Sequence, residues 1–443
     1  MAKRPPKIKV SKFFWNIAVI AKNPIPFHRQ CFSEAGDSFM LNFVFKKPIF
    51  LSRDAEVARH ILQKNHKNYH KSKLQTVNLA KYIGHGLLTS NGDHWLRQRR
   101  LIQPAFHKTK MEGLLGIMKK TIQAEIQRLP MDDNVPLYPL MNKLAFQVVA
   151  QALFNYDSDS HTFDRLQKII EELQAHIVKE IRLPFKKWWF KLSGKVKYHE
   201  HLAKESRAII LTLIEERRAS KDTHDDLLDL LLNVTYEDGS NMSNDTLIDE
   251  ILILFVAGHE TTANTLTFTL SLLAQNPNEL NKLRQEIDDI DENIDLISLL
   301  AKLSYAKQCL RESMRLYPPA WIIDRVALAD DTVGDFAIEE GTLLGISFYE
   351  LHRNPKYWSD PSVFDPERFS PQRMKEQFPG SYLPFGAGPR LCIGNGFAIY
   401  EMLLTLYTII KGFDIKTEQK DIVANPLITL KPVGAEVTFT KRN

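Results

Sequence analysis

The sequence predicts a mainly α fold with a small β region, and three observations carry that expectation. From residue 111 to about 218, apolar residues recur at helical spacing with polar breaks between the runs. One longer helix is expected from about 244 to 276: Ser243 or Asn244 can cap it, Asp245 sits in its first turn, and Pro277 stops it. Strand-like stretches are few and short, at residues 39–51, around 326–344, and at 413–415 and 428–439.

The 443 residues are ample for a core. Length alone suggests roughly two or three domains, yet no Pro/Gly/Ser-rich linker divides the chain and no internal repeat is visible. Three cysteines, Cys31, Cys309 and Cys392, are too few and too scattered for a disulfide framework or a zinc cluster, which fits a reducing compartment. The net charge of +5 accompanies many acids and reads as a mixed, solvated surface, with a local basic face for an acidic protein partner left open. No basic-aromatic motif points to nucleic acid. Residues 1–10 are short and basic. Residues 13–21 are mostly apolar, but Asn16 interrupts them and Lys12 and Lys22 flank them, so they are too short to span a bilayer. They also lack a cleavage site. A soluble, cytoplasmic protein with no integral membrane segment is expected.

Taken in order, residues 39–51 read as a hairpin broken at Lys46-Lys47-Pro48. Asp54 then caps a helix to about Asn65 that gathers Val57, Ala58, Ile61 and Leu62 on one face. Residues 72–86 look irregular. In the next helix Asp93 is the expected N-cap, and Trp95 and Arg99, four apart, share a face. An indole N–H and a guanidinium aimed the same way can bind a carboxylate, although surface Trp–Arg stacking is the ordinary alternative. Arg97 and Arg100 point elsewhere and are open to a redox partner. Pro184-Phe-Lys-Lys-Trp-Trp-Phe190 interrupts the helical region, and a hydrophobic corner or an access lid is favoured there over contact with a membrane surface.

The long helix is apolar all round from 251 to 257, so most of its sides are buried. It then carries Ala257-Gly258-His259-Glu260-Thr261-Thr262. A helical glycine costs about 1 kcal/mol relative to alanine, and an acid with two hydroxyls competes for backbone partners. Such conflicts arise where function overrides fold. A helix over 303–316 places Glu312 and Arg315 on one face at i, i+3. Pro318 and Pro319 then force the chain out of the helix.

The stretch with the most chemistry is Phe385-Gly-Ala-Gly-Pro-Arg-Leu-Cys-Ile-Gly394. Neither glycine pair completes a dinucleotide motif, because Leu391 and Ile399 stand where a third glycine belongs. A lone cysteine is usually a small buried hydrophobe. Cys392, however, follows Arg390 and precedes a helical pattern starting near Asn395. A helix N-terminus stabilises a thiolate by about 0.3–1 kcal/mol. A thiolate on such a glycine-rich loop suits one axial bond to iron. The order Phe385, Gly388, Arg390, Cys392, Gly394 resembles the haem-binding loop of the cytochrome P-450 family, in which a cysteine thiolate holds the iron.

That resemblance extends from about residue 39 to the C-terminus. It implies a single domain over 1–443, a mostly helical triangular prism with a small β region, residues 1–35 as a lead-in and no fused reductase. It implies haem b lying between the Ala257–Thr262 segment and the Cys392 loop. Cys392 would be the iron ligand, with Phe385, Gly386, Arg390 and Gly394 shaping its loop. Trp95 and Arg99 would hold one propionate, Arg325 the other, and His352 would add a further contact. Ala257 and Gly258 would leave room for oxygen and substrate, Thr261 would hydrogen-bond bound dioxygen or its water, and Glu260 would relay protons; His259 is assigned no role. Glu312-x-x-Arg315 would join Arg368, from Asp365-Pro-Glu-Arg368-Phe, in a buried structural network. Tyr82, Ile83, Ala257, Ile322, Ile323 and Ile428 would border the substrate. Plain packing is the alternative for Tyr82, Ile83 and Ile428.

The activity so implied is a monooxygenase that inserts one oxygen atom of dioxygen into a C–H bond, by hydroxylation or oxidative O-demethylation. No flavin or iron–sulfur segment is visible, so electrons are expected from a separate ferredoxin and ferredoxin reductase, delivered to a monomer of bacterial type. A lipid-like small-molecule substrate, a fatty acid or terpenoid, ranks first; a methoxylated ring or sugar stays open. A peroxide-driven peroxygenase or hydroperoxide isomerase is the alternative within haem-thiolate chemistry, and the Glu260-Thr261 pair argues against it. A non-catalytic haem sensor or carrier is the alternative of another class.

Overall fold

Along the strands Ser38–Leu41 and Ile49–Ser52, successive side chains enter two different cores. Phe39, Leu41 and Leu51 pack with Phe27, Cys31 and Phe32, while Met40 and Phe50 pack with Ala58, Leu62, Leu344 and Phe348. Because both faces of the sheet are covered, these strands do not alternate with polar residues; their only polar members, Ser38 and Ser52, are buried opposite each other with their hydroxyls bonded at 2.9 Å. The two strands pair antiparallel, Phe39 opposite Leu51, as the hairpin reading expects. Residues 43–46 of the turn lie outside the described residues. The computed structural model describes residues 3–42, 47–156, 161–183, 186–220, 224, 226–291 and 293–442.

The chain forms two compact units. The first comprises Met1–Leu74, Arg311–Cys392 and Ala424–Lys431. Its six-stranded sheet runs Lys7–Ile8, Ser38–Leu41, Ile49–Ser52, Leu343–Ile346, Ile323–Ala327, Tyr69–His70. Asp54 caps the following helix as expected, its carboxylate accepting from the backbone N–H groups of Glu56 and Val57. That helix, Ala55–Arg59, runs into a wider turn at His60–Lys64, and Val57, Ala58, Ile61 and Leu62 are all buried.

The second unit comprises Gln75–Leu310, Ile393–Val423 and Pro432–Asn443. Its helical region holds Lys108–Ile126, Leu137–Phe154, His161–Arg182, Lys195–Ala219 and Asn244–Gln275. The last is one continuous helix whose Ser243 cap accepts from Thr246 N–H, and Pro277 opens the next helix instead of extending it. It packs on Leu137–Phe154 through Phe255, which stacks on Phe154 at 4.7 Å and meets Phe146 at 5.4 Å. The strands Phe413–Lys416, Glu436–Lys441 and Asn134–Pro136 form a small antiparallel sheet.

Four expectations need correction. Residues 72–86 are mostly helical, with turns at Leu74–Leu79 and Ala80–Ile83. They look irregular in sequence because Gly84, at φ +86°, ends them at once: a Cβ there would lie 2.2 Å from Asp249 Oδ1. Asp93 is not the N-cap; Asn91 holds that position and Asp93 sits in the first turn, where its charge favours the helix end without capping it. Ile428 is not in a strand but in the turn between Val423–Pro426 and Leu430–Val433. The aromatic segment is not simply a corner. Phe190 is buried, whereas Trp188 and Trp189 are exposed; Pro184 and Phe185 lie outside the described residues.

Candidate functional site

In the first unit, the Cys392 loop is built on two left-handed glycines, Gly386 at φ +75° and Gly388 at φ +67°. Gly388 also presses on the turn below it: a Cβ there would come within 2.0 Å of the Leu62 carbonyl oxygen. Only glycine meets both demands. The Cys392 N–H donates to Phe385 O at 3.0 Å and closes the loop, and the thiol itself is exposed. Asn395–Gly412 is helical directly after it, as expected.

Behind the loop, Glu312 and Arg315 are fully buried and paired twice: Arg315 Nε and Nη2 each donate to a Glu312 oxygen at 2.7 Å. Burial raises the Glu312 pKa, and the Arg315 bonds, the Asp365 N–H and Arg368 oppose that rise. Arg368 Nε lies 3.4 Å from Glu312 Oε1, so the expected three-residue cluster is assembled. Its connection onward is absent from the sequence reading. Arg315 Nη1 donates to the His352 carbonyl at 2.8 Å, His352 Nε2 accepts the Leu383 N–H at 2.8 Å, and Leu383 O accepts from Gly386 N–H at 3.0 Å. The ring of His352 is thus occupied inside this cluster, stacked on Phe348, and the expected propionate contact is replaced by a structural one.

Burial, then the nearby Arg315 and Arg353 charges, lowers the His352 pKa to about 3, and burial alone lowers that of His28 to about 4. An unfolded histidine takes up its proton near pH 6.5. The stability these two residues contribute is therefore complete above pH 6.5 and is lost as pH falls through about 4 and then about 3. Unfolding at about pH 5 is expected to take up about two protons on their account, and His28→Phe to reduce that by about one. Denaturation midpoints measured across this range check it; a slope unchanged by the substitution counts against it.

Arg325 lies buried in the strand Ile323–Ala327. Burial lowers its pKa, and its Nη1 donates to the Asp324 carbonyl; among the described residues it makes no carboxylate ion pair. His70, which sequence reasoning missed, is within electrostatic reach: burial first, then Arg390 and Arg325, lower its pKa. An exposed thiol on a glycine loop and a cluster of cations fit an iron porphyrin bearing two carboxylates. Ile322 and Ile323, both half-buried, pack on opposite faces of the sheet.

In the second unit, Glu260 is buried in the Asn244–Gln275 helix and accepts a hydrogen bond from Gln174 Nε2 at 2.8 Å. Gln174 was also missed, although its position carries a signal: it is a polar residue on the apolar face formed by Phe163, Leu166, Ile170, Leu173 and Ile177. Thr261 Oγ1 donates to the Ala257 carbonyl at 2.7 Å, and Thr262 Oγ1 to Gly258 O at 3.0 Å. Gly258 faces Val149 of the neighbouring helix, whose Cγ2 would lie 3.1 Å from an added Cβ, so its small size serves helix packing. His259 points into the core, Nδ1 bonded to the Phe255 carbonyl and the ring edge-on to Phe146. Trp95 and Arg99 share the half-buried face of Gly92–Ile102, with Arg97 and Arg100 exposed. Tyr82 and Ile83 are buried, and Tyr82 OH donates to Glu180 Oε2 at 3.2 Å.

The family model described as Cytochrome P-450 matches residues 5–439, nearly the whole chain. The protein belongs to the cytochrome P-450 family. Protein LUTEIN DEFICIENT 5, chloroplastic, of Arabidopsis thaliana is 30% identical over 413 residues, covering 87% of this chain and 68% of that one. Cyclooctat-9-en-7-ol 5-monooxygenase of Streptomyces melanosporofaciens is 33% identical over 329 residues, covering 74% and 72%. The solved cytochrome P450DA heme domain superposes with a TM-score of 0.90 at 22% identity, covering 100% of this chain and 99% of that one, and shares its fold. As a P-450 this chain is a haem-dependent oxidoreductase. Among the described residues, no helix is long and apolar enough to cross a membrane.

Proposed function

We propose that this P-450 is a dioxygen-dependent monooxygenase of a lipid-like small molecule, a fatty acid or terpenoid, with Cys392 as the iron ligand. Bound haem supplies the iron at which dioxygen is reduced and from which one oxygen atom passes to a substrate C–H bond. The observation that carries the reading is the Glu260-Thr261 pair, a buried carboxyl beside a half-buried hydroxyl, directly after the all-apolar run 251–257 of its helix. That helix has no structural need of a carboxyl and a hydroxyl side by side, whereas dioxygen reduction consumes protons. Glu260 holds a proton at its carboxyl and Thr261 passes it on through Oγ1. Arg325, and Trp95 with Arg99, bind the propionates, while Phe385, Gly386, Arg390 and Gly394 fix the ligand loop. The residues proposed to meet the substrate are Tyr82, Ile83 and Ala257 of the second unit and Ile322, Ile323 and Ile428 of the first, and their aliphatic and aromatic character suits an apolar molecule. The relative from Streptomyces is named for oxidising an alcohol, cyclooctat-9-en-7-ol, in keeping with a lipid-like substrate. Electrons come from a separate ferredoxin and its reductase.

The deciding experiment reconstitutes the haem-loaded enzyme with ferredoxin and reductase, or with hydrogen peroxide, after a screen of spin-state shifts identifies a ligand. Product from dioxygen and reductant is expected; product from peroxide alone favours the peroxygenase alternative, and none from either the carrier. Thr261→Ala is expected to keep consuming reductant while diverting most of it to hydrogen peroxide, with product per electron falling about tenfold. Coupling equal to that of the unaltered enzyme removes Thr261 from the proton path.

A further inference from the structure

Three elements of the second unit meet in one cluster of titratable side chains: the turn Ala80–Ile83 and the helices His161–Arg182 and Lys195–Ala219. Between the two helices, the rings of His176 and His199 stack at 3.7 Å, within 6° of parallel. His176 is buried and His199 half-buried. His199 Nδ1 donates to the Lys195 carbonyl at 2.6 Å. Among the described residues, His176 Nε2 has no hydrogen-bond partner, and it lies 3.6 Å from Glu180 Oε1, one turn along its own helix. The second Glu180 oxygen accepts the Tyr82 hydroxyl at 3.2 Å, and Tyr82 meets the His176 ring edge-on at 5.7 Å. Lys81 donates to the same hydroxyl oxygen at 3.2 Å and pairs with Glu200 at 3.1 Å. Tyr82 is buried, so its hydroxyl needs these partners.

We infer that Glu180 is a positioning residue for Tyr82 and that the His176–His199 pair makes its hold sensitive to pH, latching the Ala80–Ile83 turn to the two helices near neutrality and releasing it in acid. The bearing of this latch on catalysis rests on the proposed role of Tyr82 beside the substrate. Packing alone would be met by two hydrocarbon rings; imidazoles add a charge that changes near neutral pH. A charge on His199 is poorly hydrated while His176 covers its face, so a proton there favours the open arrangement. Burial, then the facing His176, hold the His199 pKa below its ordinary value of 6.5, against the Lys195 carbonyl, Glu172 and Glu180. The closed cluster therefore binds fewer protons than the open one. Opening is indifferent to pH above 6.5 and favoured as pH falls below it. Glu180 acts in a lower range: His176 beside it, then Lys81 and Tyr82, depress its pKa against burial, so its grip is complete above the ordinary 4.5. The other elements add no competing charge among the described residues. The helix Lys187–Leu192 brings Phe190 to the His176 ring, and Asp245 and Asp249 of the helix Asn244–Gln275 pair with Arg207, about two turns beyond His199.

The test is amide hydrogen exchange of the haem-loaded full chain without ligand, from about pH 8 to about pH 5.5, with rates corrected for the intrinsic pH dependence of exchange. The reporter is the peptide holding Gly84, whose N–H donates to the Ala80 carbonyl at 2.9 Å and closes the turn. Its protection should be level down to about pH 6.5 and then fall by up to about tenfold per pH unit. His199→Phe keeps an aromatic ring at the contact and should leave the protection level throughout. His199→Gln should do the same, so the result does not hang on how one variant folds. Glu180→Leu should lower protection about tenfold already at pH 8, and Glu180→Gln, which keeps an acceptor oxygen, should restore most of it. Level protection in the unaltered protein, an equal fall in both His199 variants, or no effect of Glu180→Leu overturns the proposal. A spin-state titration with decan-1-ol, an uncharged lipid-like probe, separates this from the reading of Tyr82. Its Kd should weaken along the same pH profile in the unaltered protein and stay level in His199→Phe. A pH-dependent turn with a pH-independent Kd would uphold the latch and remove Tyr82 from the substrate's neighbours.

Discussion

Glu312→Ala is expected to destabilise the protein by about 3–5 kcal/mol and to lose haem with the fold. The size of the effect comes from what the substitution leaves behind. Arg315 is fully buried; besides Glu312 it reaches, among the described residues, only backbone carbonyls, at His352, Pro361 and Val363, and the face of Trp358 at 5.2 Å. Without the carboxylate, a desolvated cation has dipoles but no counter-charge, and the Asp365 N–H loses its acceptor as well. The damage is carried to the candidate iron ligand by a chain of bonds within one unit: Arg315 to His352, His352 to Leu383, Leu383 to Gly386, and Phe385 to Cys392. Chemical denaturation of the haem-loaded protein measures it. Glu312→Ala/Arg315→Met should lose less than the sum of its two single changes, because the stranded charge is gone. Additive losses, or a single loss within about 1 kcal/mol of zero, would mean that the pair is not energetically coupled.

What could be read in advance was what depends on neighbours along the chain. The caps at Asp54 and Ser243, the bounds of the Asn244–Gln275 helix and the loop glycines all follow from local chemistry, and all stand where the sequence puts them. Glu312-x-x-Arg315 was legible only in company, since the same spacing covers ordinary surface helices; nothing local distinguishes a pair that is fully buried. The partners that were missed lie far off in sequence. Gln174 reaches Glu260 across 86 positions and His352 reaches Leu383 across 31. His70 joins Arg325 only because their strands pair, with His70 opposite Val326. Ile428 and Asp93 failed for another reason: apolar character and a capping residue type do not fix a boundary to within two residues. Gly258 illustrates a third limit. Its small size looked like room for a ligand, whereas Val149 of the facing helix already uses it.

Cys392→Ser is expected to abolish both monooxygenation and the thiolate-type absorption of the reduced carbon monoxide complex, while leaving the fold nearly untouched. The side chain is exposed, and the bond that closes the loop, Cys392 N–H to Phe385 O, belongs to the backbone and survives the substitution. The unfolding free energy without haem should therefore move by less than about 0.5 kcal/mol. A serine hydroxyl stays protonated at neutral pH and cannot supply the anionic sulfur that donates electron density to iron. Gly388→Ala should reach the same spectral loss by the opposite route. Its left-handed backbone costs an added Cβ about 1–2 kcal/mol, and the clash with the Leu62 carbonyl adds to that, so the loop moves and stability falls together. Measured side by side, the two variants separate the atom from its support: one keeps the scaffold and loses the ligand, the other keeps the sulfur and loses its position. If Cys392→Ser retained the thiolate spectrum, the iron would have to be held by another cysteine. Cys31 and Cys309 are both buried, and burial pushes the Cys31 thiol up to about 11, so neither is prepared to take its place.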